Sequence, residues 1–161
     1  MSDLNTPEKE TLARYLGTYR DIIVHKVEGV DWAASVEPRV PSGTSLLGIV
    51  KHLAYVERWW FQAVLGQRQV EFPWSEDDPD ADWKIEHDES AEDIISLYRG
   101  ECAESDAILE GIGSLDDLFP QGDDEISARR VIIHMIEETA RHAGHADILR
   151  ELIDGSTGWG P

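Results

Sequence analysis

Apolar residues recur at three- and four-residue intervals in four stretches of the chain, and polar segments rich in Gly and Pro separate them. That period is the signature of amphipathic helices. The first predicted helix covers residues 7–27, with Thr6 as N-cap, Pro7 at the first helical position and Leu12, Tyr15, Leu16, Tyr19, Ile22 and Ile23 as its stripe. The second covers 45–65, follows the breaker "PSGTS" and turns Leu46, Ile49, Val50, Leu53, Val56 and Trp60 inward. The third covers 91–112, opened by Ser90 with Glu92 and Asp93 in the first turn. The fourth covers 125–153 and stops at Gly155. Strand-like alternation is not sustained anywhere, although "RQVEF" admits a brief extended piece. The expected fold is all-α, a four-helix bundle with long crossover loops, formed by a single domain over 1–161.

The links 28–45 and 66–90 are long, whereas the third and fourth helices are joined closely. Loops of ~15 residues or more without structure of their own tend to be lids or binding loops. These two carry Trp and Pro, which suggests a covered pocket at one end of the bundle.

The fourth helix contains the most informative departure from a plain amphipathic pattern. "HMIEETARHAGHAD" places His134, Glu138, His142 and His145 on fourteen residues of a chain with six histidines. On a wheel with His134 at zero, Val131 and Leu149 fall at ~60°, Glu138 at ~40°, His142 at ~80° and His145 at ~20°. Glu138 and His142 therefore sit on the apolar stripe one turn apart, while Asp147, Arg150 and Glu151 fall on the opposite face. A buried carboxylate needs an offset, which either a hydrogen-bonded Glu–His pair or a divalent cation supplies. His52, at the edge of the second helix's stripe, adds a third ligand-type side chain and favours the cation. Three protein ligands leave coordination positions for water or substrate.

Composition narrows the partners. With 33 acidic and 14 basic residues the net charge is −19, which argues against nucleic acid and anionic membrane as partners. The acidic runs "SEDDPDADWKIEHDES" and "SLDDLFPQGDDE" read as solvated loops and helix starts. No apolar run reaches the ~20 residues of a membrane span, and "MSDLNTPEKE" has no signal-peptide pattern. A cytoplasmic protein is expected. The single cysteine, Cys102, reads as a bystander.

"LLGIVKHLAYVERWWF" together with "HMIEETARHAGHADILRELIDG" resembles the DinB-like superfamily of metal-binding four-helix proteins. The resemblance is nearest to the branch of mycothiol-dependent S-transferases and maleylpyruvate isomerases, and it spans almost the whole chain. It implies metal ligands at His52, Glu138 and His142, with glutamate in place of the first histidine of the late pair, as in the isomerase branch. It also implies a divalent metal and a low-molecular-weight thiol such as mycothiol or bacillithiol as cosubstrate; the mixed N/O donors suit zinc first, with nickel or iron admitted. The function so implied is a metal-dependent transferase or isomerase whose thiol attacks an electrophilic small molecule. A non-catalytic, stress-related metal-binding protein and a metal-dependent hydrolase are the alternatives. A homodimer is compatible with this reading.

Around that set, His145 faces inward with His134 and is expected to support the ligands or touch substrate. Trp59, Trp60, Phe61, Phe72, Trp74 and Trp83 are candidates to line an acceptor pocket, with Tyr55 one turn from His52. Arg141, beside His142, is the preferred contact for a substrate anion, and Arg58 is expected in a surface ion pair.

Overall fold

The computed structural model describes residues 7–158. In chain order they form α1 (Glu8–Val27), α2 (Trp32–Val36), α3 (Leu46–Glu57), α4 (Ala91–Gly111), the strands β1 (Leu118–Gln121) and β2 (Asp124–Ser127), and α5 (Ala128–Asp154). A π-helical segment, Arg58–Leu65, continues α3 without a break, and a 3-10 turn, Ala81–Trp83, interrupts the middle loop. The four long helices make an all-α bundle in which α1 packs chiefly on α5 and α3 on α4. Contacts between α3 and α5 close the bundle across its middle and bring the two histidine-bearing helices together.

Local chemistry accounts for most helix ends. Ser90 Oγ accepts from the Asp93 amide at 3.1 Å while Asp93 Oδ2 accepts from the Ser90 amide at 3.0 Å, a reciprocal cap that starts α4 where expected. Ser45 caps α3 through the Gly48 amide. Gly155, at φ 77°, ends α5 in the left-handed conformation that glycine adopts without strain. At the other end of the chain Pro7 stands as the N-cap of α1 and the helix proper begins at Glu8. Thr6, the expected cap, lies outside the described residues.

The link before α5 differs from expectation. Residues 118–127 pair as an antiparallel hairpin, Leu118 opposite Ser127 and Gln121 opposite Asp124, around Gly122 at φ 62°. Its one buried anchor is Ile126. Ser127 then caps α5 by accepting from the Arg130 amide, so the helix starts at Ala128 and not at residue 125. The stretch "RQVEF", which admits an extended piece, is not a strand.

Two apolar clusters make the core. One gathers Ile23, Leu47, Ile49, Leu53, Tyr98 and Leu149; the other gathers Leu16, Phe61, Leu65, Val131, Ile132 and Met135. A polar layer lies between them along the sequence of each helix. Arg20 on α1 holds Glu57 on α3 with two bonds of 2.7 Å, and its third donor reaches Asp106 at 2.7 Å. Glu57 is fully buried there. Tyr15, expected in the α1 stripe, is instead exposed, and Arg20 takes a buried place.

Candidate metal centre

His52 comes from the middle of α3, and Glu138 and His142 come from adjacent turns of α5. His142 Nε2 lies 3.1 Å from Glu138 Oε1, and His52 Nε2 lies 3.6 Å from the same oxygen. One donor atom from each of the three residues falls within 4.8 Å of the others. Tetrahedral bonds of ~2.0–2.1 Å separate ligand atoms by ~3.4 Å, so this spacing suits one cation held by two imidazoles and a carboxylate. The mixed N/O donor set fits a borderline divalent ion.

The electrostatics favour the protonation states such a site needs. Burial, reinforced by the neighbouring His52, pushes the His142 imidazole down to about 4, although Glu138 opposes the shift. The ring is therefore neutral near pH 7, with a lone pair to give. Burial works against the Glu138 carboxylate, but His142 and His52 outweigh it and keep its pKa below the ordinary value.

One participant was not visible in the sequence. Asp82, in the 3-10 turn of the middle loop, places Oδ2 2.6 Å from His52 Nδ1 and is itself buried. The next residue, Trp83, stacks on the His52 ring with centroids 3.9 Å apart and planes 16° from parallel. Asp82 stands among the acidic residues of "SEDDPDADWKIEHDES", a run whose composition predicts a solvated loop. Its only local signal is the neighbouring apolar Trp83.

The buried face of α5 differs from the expected one. Its buried residues are Ala128, Val131, Ile132, Met135, Thr139, His142, Ala143, Ala146 and Leu149. On the same wheel they centre near ~115°, not ~60°, because Ile132, Thr139, Ala143 and Ala146 widen the stripe to one side. His142 stays inside, Glu138 sits half-buried at the edge, and His145 is exposed, contrary to its expected inward position. His145 Nδ1 nonetheless lies 3.5 Å from His142 Nδ1. Arg141 is exposed rather than at the edge of the inward face. Arg150, expected on the outer face, packs against α1 and donates to the Lys26 and Glu28 carbonyls at 2.9 Å.

The remaining aromatic and basic candidates divide among different places. His134 packs edge-on against Trp60. Phe61 is core. Phe72 stacks on Trp74 at 4.4 Å, and Trp59 and Tyr55 close against that pair to form an aromatic wall. Arg58 lies over the Tyr55 ring and pairs with Glu101 at 2.5 Å, so its ion pair is half-buried and not superficial. A groove of about 540 Å³ runs along Trp32, Val36, Ser45 and Ile85 to Trp83. A second, of about 720 Å³, lies between α1 and α4 along Arg20, His25, Cys102 and Asp106, away from the three ligand-type residues. Burial pushes the Cys102 thiol well above the ordinary range.

Comparison with known proteins identifies the family and the fold. A family model described as mycothiol-S-transferase matches residues 11–155. The chain belongs to the mycothiol S-transferase family. Its all-helical bundle is that of the DinB-like superfamily. Among solved structures, a conserved protein from Enterococcus faecalis matches with a TM-score of 0.75 over 94% of this chain and 100% of its own, at 13% identity. That likeness speaks to the fold alone. No curated protein matches the chain. Family membership suggests a thiol cosubstrate, and three ligand-type residues would leave a bound cation room for one.

Proposed function

We propose that the protein is a metal-dependent S-transferase that uses a low-molecular-weight thiol of the mycothiol type against an electrophilic small molecule. The observation that carries this reading is the convergence of His52, Glu138 and His142 within 4.8 Å in a chain of this family. A divalent cation held by these three side chains would supply Lewis acidity, which favours the ionised form of a thiol near neutral pH. Zinc suits the donor set best, and nickel or iron also fits.

The chain's own groups do the rest. His142 offers a neutral imidazole because burial keeps it unprotonated. Glu138 offers the negative charge that balances a cation in a half-buried position. The aromatic wall of Tyr55, Trp59, Phe72 and Trp74 gives an apolar acceptor a surface to lie on. Cys102 contributes no nucleophile, since its buried thiol is held protonated. The reaction then joins the cosubstrate sulfur to the electrophilic carbon as the leaving group departs, a chemistry suited to the cytoplasm, where small thiols stay reduced.

The test is conjugation of a bimane electrophile by the metal-loaded protein, with mycothiol and bacillithiol offered separately. Thiol-dependent product that disappears on chelation supports the transferase. Bound metal without any thiol-dependent product favours a non-catalytic metal-binding protein, and chelation-sensitive ester cleavage without thiol favours a hydrolase.

A further inference from the structure

The 3-10 turn of the middle loop returns to α3 through specific contacts. Lys51 Nζ donates to the Lys84 carbonyl at 2.7 Å and to Glu89 Oε2 at 2.8 Å, which fixes the chain on one side of the 3-10 turn. The turn itself lies on Gly48. A Cβ added there would meet the Trp83 carbonyl oxygen at 2.8 Å, closer than real side chains come, so glycine is what allows the turn to seat. The seated turn presents two consecutive side chains to His52: Asp82 to Nδ1 and Trp83 to the face of the ring.

We propose that Asp82 is the positioning residue of the metal centre. It accepts the Nδ1 proton of His52, while Trp83 and the Gly48 notch hold ring and carboxylate in register. The consequence is that Nε2, the nitrogen facing Glu138, carries the lone pair. An imidazole has two tautomers, and a ligand must leave its metal-facing nitrogen unprotonated. A carboxylate 2.6 Å from the other nitrogen selects that tautomer and restrains rotation about the side-chain bonds. Trp83 blocks the remaining freedom by stacking. A loop that otherwise reads as solvated acid thereby enters the site. The proposal rests on the metal-centre reading above, but it concerns a property of His52 that exists before any metal binds.

Two measurements test it on the full-length protein. The first is nitrogen-15 correlation spectroscopy of the metal-free protein well above the ordinary imidazole pKa range. His52 should be protonated on Nδ1 in the wild type and in Asp82→Asn, which keeps an acceptor oxygen. It should revert to a mixture of tautomers in Asp82→Ala. The second is zinc affinity by chelator competition. Asp82→Ala should bind ~10–100-fold more weakly, Asp82→Asn should recover most of the loss, and Gly48→Ala should weaken binding in the same direction by lifting the turn. Circular dichroism establishes that each variant is folded; were Asp82→Ala to unfold, the wild-type tautomer and Gly48→Ala would decide. A wild-type His52 protonated on Nε2 overturns the proposal, as does an Asp82→Ala protein with unchanged tautomer and unchanged zinc affinity. A wild type that takes up no zinc sinks the metal reading, and the tautomer then judges Asp82 separately.

Discussion

His142 is 6% exposed, and its ring is the innermost of the three ligand-type groups. Its Nε2 faces Glu138 and its Nδ1 faces His145, so each nitrogen has a separate neighbour. His145 stands on the exposed side of that contact, and we propose that it supports His142 and does not hold a cation directly. His145→Ala should accordingly weaken zinc binding by ~10–100-fold without abolishing it, as read by chelator competition; loss of all metal would make His145 itself a ligand. Cys102 supplies the opposite case, a reactive residue type in an inert setting. Because burial raises its pKa, little thiolate exists at neutral pH, and alkylation by iodoacetamide should stay slow until pH climbs past the ordinary thiol range or the protein unfolds. Cys102→Ser should retain thiol conjugation in full. Fast native alkylation, or turnover lost with the serine variant, would assign the nucleophile to the chain.

At the level of elements, the helices were legible because each carries a period and a cap. Ser90 with Asp93 and Gly155 mark ends that the sequence states openly. The hairpin was not legible, since its eight paired residues include only one buried side chain, Ile126, and acidic neighbours dominate its composition. The wheel on α5 located His142 and Glu138 but misplaced His145, because small residues such as Ala143 and Ala146 mark a helix–helix contact as firmly as leucines do. Asp82 escaped for a different reason. Its role depends on a long-range return of the loop to α3, and no local pattern encodes that. The buried Arg20–Glu57 pair was equally silent, as neither residue type signals burial. Its energetic weight is nevertheless testable. Glu57→Ala would strand the Arg20 guanidinium inside the bundle and should cost about 3–5 kcal/mol in chemical denaturation. A loss below ~1 kcal/mol, the level of an exposed pair, would mean that water reaches Arg20.

Across the whole molecule, the acidic field and the fold restrict what the protein can meet. No helix among the described residues is long and apolar enough to cross a membrane. The net charge of −19 repels phosphate backbones. A mobility-shift assay with duplex DNA at physiological salt should show no submicromolar complex, and a salt-sensitive one would contradict the assignment of small molecules as partners. The same field draws cations, and His52, Glu138 and His142 meet where α3 contacts α5 between two apolar clusters. We propose that this meeting point is a metal site, and elemental analysis decides it. Purified wild-type protein should carry about one divalent metal ion per chain. His52→Ala and His142→Ala should lose it, and Glu138→Gln should bind it far more weakly. Full stoichiometry in all three variants, each shown to be folded, would contradict the claim.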